Sequence, residues 1–153
     1  MLFPHPHLLL VDDSPLNLKI LLEFLPQAEY RCTTAQGGLQ AWELLEAEPD
    51  RFHAVLLDRI MPGMDGMEVL HKMKQHPVLG QIPVIMQTAA ATHQQTVEGL
   101  QAGAYYYLAK PFDKATLLAI VDAAVRDHSN YLEVRQNLHR TTGTMGLLDS
   151  ATF

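Results

Sequence analysis

Five polar residues stand directly after short apolar runs, and their types fit one kind of chemistry. Asp12-Asp13 follow His7-Leu8-Leu9-Leu10-Val11, Asp58 follows 52–57, Thr88 follows 82–87, and Lys110 follows 105–109. Three carboxylates brought close together repel, so at least one resists ionisation unless a counter-charge is near. Lys110 supplies one positive charge. A hard divalent cation would supply the rest, and clustered carboxylates with backbone carbonyls suit Mg²⁺. Each residue alone has a plainer explanation: Asp12-Asp13 as a helix cap, Asp58 as a turn residue, Thr88 as a core hydroxyl, Lys110 as a surface lysine. Their coincidence at successive strand ends argues for a shared site.

The elements that would position them alternate along the chain. The run at 7–11 is apolar throughout, as a strand buried on both faces should be. Ser14-Pro15 gives a cap and a first helical residue, followed by Leu18, Leu21, Leu22 and Leu25 on one face. A weaker strand is expected at 30–34, and a helix at 37–47 with Leu39, Trp42 and Leu45 at helical spacing. Strands follow at 52–57, 82–87 and 105–109, with helices at 68–75 and 92–102. Asp113 caps a last helix with Leu117, Leu118, Val121, Ala124 and Val125 inward. Five strands and five helices in strict alternation predict a parallel sheet covered on both faces, joined by right-handed crossovers. In such sheets ligands bind beyond the carboxyl ends of the strands, where the polar residues stand.

Composition narrows the class. The 153 residues are 48% hydrophobic and 18% charged, enough to bury one core. Eleven basic against 17 acidic residues give a net charge of −6, which disfavours direct nucleic-acid or anionic-membrane binding. Cys32 is the single cysteine, so no internal disulfide is expected. No apolar run reaches the ~20 residues of a membrane span, and 1–7 lacks the pattern of a secretory signal. A cytoplasmic protein is expected. The eight histidines show no metal-ligand spacing, and His5 and His7 are expected to be solvated.

The motifs Leu9-Leu10-Val11-Asp12-Asp13-Ser14, Leu56 to Gly66 (Leu-Leu-Asp-Arg-Ile-Met-Pro-Gly-Met-Asp-Gly), Thr88-Ala89, and Ala102-Gly103-Ala104 through Lys110-Pro111-Phe112 together resemble the receiver domain of two-component response regulators. The similarity covers 7–128. Its spacings are 45 residues from Asp13 to Asp58, 30 to Thr88 and 22 to Lys110. The resemblance implies a flavodoxin-like doubly wound fold with strand order 2-1-3-4-5. It implies a phosphorylation-dependent switch in which Asp58 accepts a phosphoryl group from a histidine kinase or phosphotransfer protein. Asp12, Asp13, Asp58 and the Ile60 carbonyl would hold Mg²⁺. Lys110, Thr88 and the Ala89 N–H would contact the phosphoryl oxygens. Thr88 and Tyr107 would form the switch, and Lys110-Pro111 the cis peptide. Such a chain catalyses only its own phosphotransfer and autodephosphorylation, and signals to an output domain or a downstream effector protein.

Several residues depart from the family pattern. Ile60 and Ala90 flank the water position and cannot hydrogen-bond water, so they are not expected to speed autodephosphorylation. Arg59 is unusual beside the phosphoacceptor, and a solvated surface charge is the first reading of it. Tyr105 shares the parity of Tyr107, and so is expected to add to a face of helix 4, strand 5 and helix 5 that would serve a homodimer or a partner; plain strand packing is the alternative. Beyond 128, Tyr131, Val134 and Leu138 extend a heptad that Asp127 interrupts. Thr-Thr-Gly-Thr-Met-Gly at 141–146 is expected to break any helix. The segment 129–153 reads as a helical extension or linker toward an output domain, or as a frayed end. Two rival functions remain. A haloacid-dehalogenase-like phosphatase wants an acid two residues after its first-strand nucleophile, where Ser14 stands. A pure interaction module would not need the intact acid set. A dinucleotide site fails for want of G-x-G-x-x-G.

Overall fold

A computed structural model describes residues 3–89 and 91–152 of the chain, with side chains as far as Arg140. Five strands form one parallel sheet: β1 (His7–Val11), β2 (Arg31–Ala35), β3 (Ala54–Asp58), β4 (Val84–Thr88) and β5 (Tyr106–Ala109), in the order β2-β1-β3-β4-β5. The helices are α1 (Pro15–Phe24), α2 (Gly38–Ala47), α3 (Gly66–Lys74), α4 (His93–Gln101) and α5 (Lys114–Thr152). A 3₁₀ turn, Leu79–Gln81, precedes β4 and is not expected from the sequence.

The central strands are apolar because both of their faces are covered. Alternate residues divide between two cores, as a period of two requires. Leu9, Val11, Val55, Leu57, Val84 and Met86 meet Ala41 and Leu45 of α2 and Val69, Leu70 and Met73 of α3. Leu8, Leu10, Leu56 and Ile85 meet Leu18 and Leu21 of α1 and Leu117, Val121 and Ala124 of α5. Full burial of each such side chain is worth about 1.5–3 kcal/mol, and this fixes which strand ends align.

Local signals set the helix starts. Ser14, Asp65 and Thr92 each accept an N–H from the first turn of α1, α3 and α4, at 3.3, 3.0 and 3.1 Å. Asp113 Oδ1 accepts the Thr116 N–H at 2.7 Å at the start of α5.

Leu39 is 58% exposed, because the buried stripe of α2 runs through Ala41 and Leu45. Two expectations are corrected. His7 is the first residue of β1 and is buried; its Nε2 lies 2.7 Å from Thr33 Oγ1, and its backbone N–H donates to His53 Nδ1 at 2.9 Å. Residues 141–146 do not end a helix, since α5 continues to Thr152. Glycine costs about 1 kcal/mol in a helix interior, and a helix already anchored by its packed first turns can propagate through that. Past the core, α5 leaves Tyr131, Val134 and Leu138 exposed.

Candidate functional site

The ends of β1, β3 and β5 bring four charged side chains together. One oxygen from each of Asp12, Asp13 and Asp58 lies within 4.8 Å of the other two. Asp12 is fully buried; its Oδ1 accepts the Ser14 N–H at 2.9 Å and its Oδ2 accepts from Lys110 Nζ at 2.9 Å. The same ammonium is 3.7 Å from Asp58 Oδ1. Asp13 is exposed at the mouth.

Burial pushes the Asp58 carboxyl up to about 6. Lys110 pulls it down, Asp12 and Asp13 push it up, and a hydrogen bond from the Ile60 backbone lowers it. Three carboxylates stand against one ammonium, which pairs with Asp12 and Asp58 and leaves an excess of negative charge at the mouth. The donor set is all oxygen, hard, and partly open to solvent. It therefore fits a Mg²⁺ ion.

Backbone packing holds Asp58 in place. The Arg59 N–H donates to Gln87 O at 2.8 Å and the Gly66 N–H to Arg59 O at 2.9 Å. A Cβ on Gly66 would run into the Asp58 carbonyl, so only glycine lets α3 start this close. Thr88 is buried at the end of β4, and its carbonyl accepts the Lys110 N–H at 2.8 Å. Ala89 follows it on the surface, and Ile60 is 63% exposed. Ala90 lies outside the described residues. The Lys110–Pro111 peptide is cis.

Tyr107 is buried on the other core, toward α4. A Cβ on Gly99 of α4 would come within 2.5 Å of Tyr107 Cδ2, so the ring rests directly on the helix backbone. Its hydroxyl accepts from Arg59 Nη1 at 2.8 Å. The same nitrogen donates to Gln95 O at 3.1 Å, and Arg59 Nη2 donates to Glu98 Oε2 at 3.1 Å. Arg59 is thus no solvated charge: its side chain is 15% exposed and tied to β5 and α4. A phenol, a carbonyl and a carboxylate together replace the water around the guanidinium. The signal available in the sequence was the residue type next to Asp58; its partners, 36 to 48 residues away, were not visible.

Tyr105 shows the plainer packing alternative. It precedes β5, packs against the α1/α5 core, and donates its hydroxyl to Asp127 Oδ2 at 2.6 Å. Its parity with Tyr107 has no meaning outside the strand. Tyr106, 45% exposed, is the tyrosine that faces out.

The response regulator receiver domain model matches residues 8–122. The chain belongs to the receiver domain family of two-component response regulators, whose members are phosphorylated on aspartate. It is 37% identical over 129 residues to the response regulator PleD of Caulobacter vibrioides, covering 84% of this chain and 28% of that protein. It is 34% identical over 119 residues to the transcriptional regulatory protein SrrA of Staphylococcus aureus, covering 78% and 47%. The chain thus spans less than half the length of these relatives. Among solved structures, it is similar to the receiver domain of sensor histidine kinase PA1611 from Pseudomonas aeruginosa, at 33% identity and TM-score 0.70, covering 79% of this chain and 98% of that one. That structure has a magnesium ion coordinated in its active site cleft. Among the described residues, no helix is long and apolar enough to cross a membrane.

Proposed function

We propose that Asp58 is the phosphoacceptor, and that the chain is a switch charged by a histidine kinase or a phosphotransfer protein. The observation that supports this most is the grouping of Asp12, Asp13 and Asp58 within 4.8 Å, with Lys110 Nζ 2.9 Å from Asp12 and 3.7 Å from Asp58. An Asp58 carboxylate oxygen attacks phosphorus, the P–N bond of the donor phospho-histidine breaks, and the imidazole leaves with the electron pair. Phosphoryl transfer of this kind is mostly positioning and charge neutralisation.

The chain's residues divide that work. Asp12, Asp13, Asp58 and the Ile60 carbonyl would hold Mg²⁺, which supplies charge neutralisation on the phosphoryl oxygens. Lys110 shifts from its carboxylate partners to a phosphoryl oxygen. The Thr88 hydroxyl and the Ala89 N–H bind the others. Movement of Thr88 toward the phosphoryl group changes the space beside Tyr107, which makes these two the switch. Lys110-Pro111 forms the turn that presents the ammonium.

Residues 7–128 are the receiver, and the segment that follows, helical as far as Thr152, leads toward an output domain or effector. The chain acts in the cytoplasm, binds neither nucleic acid nor membrane itself, and catalyses only its own phosphotransfer and dephosphorylation. A homodimer through α4, β5 and α5 is supported by Val97, Leu100 and Tyr106, which are 37%, 46% and 45% exposed on that side. The test is ³¹P NMR of the chain with Mg²⁺ and phosphoramidate. An acyl phosphate signal that hydroxylamine removes, and that Asp58→Asn lacks, is expected. A hydroxylamine-resistant signal contradicts the assignment.

A further inference from the structure

Gln87 does not fit its surroundings. It sits in a central strand of a parallel sheet, between Met86 and Thr88, and is 1% exposed. It shares the parity of Ile85, so it lies on the α1/α5 side. Neither its amide nitrogen nor its amide oxygen has a hydrogen-bond partner. Leaving one buried polar group unpaired costs about 1–3 kcal/mol, and a leucine or methionine would fill the same space without that cost. Packing therefore gives no reason for an amide here. A ligand would.

A crevice of about 420 Å³ adjoins Gln87, between α1 and the turn from β5 into α5, and the closed-off amide would have to turn into it to meet a ligand. Ile20, Leu21, Phe24 and Phe112 make apolar walls, and Asn17 and Lys110 stand among its lining residues. Phe24 and Phe112 are edge-on to one another at 6.5 Å. The volume falls in the range of small-molecule sites, which are mostly apolar with a few polar groups that fix orientation. The ammonium of Lys110 is engaged by Asp12 and Asp58, so the crevice offers no free charge of its own to an ion.

We propose that this crevice is a binding site for a small neutral molecule carrying a carboxamide or lactam on an apolar body, with the Gln87 amide as its reader. A glutamine amide presents one acceptor and one donor side by side. The edge that satisfies both at once is another primary or cis-secondary amide, paired head to tail. The ring or alkyl body of the ligand then lies between Phe24, Phe112 and Ile20. Because Lys110 also lines the crevice, the site adjoins the acidic cluster, but the proposal does not depend on phosphorylation of Asp58.

The test uses the full chain, labelled with ¹⁵N, with benzamide and 2-piperidone as probes and benzoate as the charged control. Saturable shifts of the Gln87 side-chain amide and of the Ile20 and Phe112 backbone amides are expected with both amides, with benzoate at least tenfold weaker. Gln87→Leu, which removes the unpaired amide, stays folded and binds benzamide at least tenfold more weakly. Ile20→Trp fills the crevice from its rim and abolishes the shifts without touching Gln87. No saturable shift with either amide overturns the proposal. So does binding by Gln87→Leu that equals wild type, which would mean the walls alone hold the probe.

Discussion

Arg59→Met isolates the contact that ties the phosphoacceptor strand to α4. Methionine keeps an apolar stem and removes the guanidinium. That strands the buried Tyr107 hydroxyl, bound at 2.8 Å, and removes the second donor, at 3.1 Å, from the Gln95 carbonyl of α4. A hydrogen bond from a charged donor is worth about 1.5–3 kcal/mol. The Glu98 partner is 47% exposed, so its ion pair adds only about 0–1 kcal/mol. The expected loss is about 2–3 kcal/mol, or roughly 5–10 °C in Tm for a chain of this size. It should weigh mainly on α4, where only Gly99 is buried. Tyr107→Phe deletes just the hydroxyl and leaves Arg59 two acceptors, so its cost is about 1 kcal/mol. Urea denaturation of both single variants and the double variant closes a cycle. Groups in direct contact couple by about 0.5–3 kcal/mol, and a coupling of about 1–2 kcal/mol is expected. Additivity within about 0.5 kcal/mol would show that Arg59 and Tyr107 are energetically independent, and the link from Asp58 to α4 would fall.

Three other outcomes follow from the same structure. Gly99→Ala gains helix propensity of up to about 1 kcal/mol but forces a methyl to 2.5 Å from Tyr107 Cδ2; a net loss of about 1–2 kcal/mol is expected in urea, and a net gain would mean the ring moves freely. His53 is lowered to about 4 by burial, with His128, His7 and Arg31 adding to it. The unfolded chain takes up that proton near 6.5, so stability falls as pH drops from about 6.5 toward 4. After allowance for partial exposure the loss is about 1 kcal/mol by pH 5; wild type should lose this much more than His53→Asn between pH 7.5 and 5, and equal losses refute the assignment. Mg²⁺ at ten times its Kd should stabilise the chain by about 1.4 kcal/mol, or roughly 3–6 °C, with a chelator reversing the shift. Asp13→Asn, at the open mouth of the cluster, should remove most of it, and an unchanged shift would place the ion elsewhere.

The parallel sheet was legible because its signals are local. Leu8 to Val11 are apolar at every position, Ser14-Pro15 caps α1, and Asp12, Asp13, Asp58 and Lys110 each terminate a run. Their meeting needed only the rule that parallel strands expose their carboxyl ends together. What the sequence hid depends on partners distant in the chain. Arg59 looks like a surface charge until Tyr107 and Glu98 are seen beside it. His7 looks terminal until β2 and β3 flank it. Tyr105 follows strand parity only if the strand reaches it, and β5 begins one residue later. Gln87 was visible as a lone amide in an apolar run, but its lack of a partner is a property of the fold. Gly99 carries no sequence mark at all, because its role is the ring that rests on it.

The central claim is that Asp58 takes the phosphoryl group. Intact-mass measurement after incubation with Mg²⁺ and acetyl phosphate tests it most directly, with Asp58→Asn as the control. One added phosphoryl on the wild-type chain, lost in Asp58→Asn and greatly reduced in Lys110→Ala, is the predicted result. An adduct of the same size that survives Asp58→Asn would contradict the account, because the nucleophile would then be a residue other than Asp58.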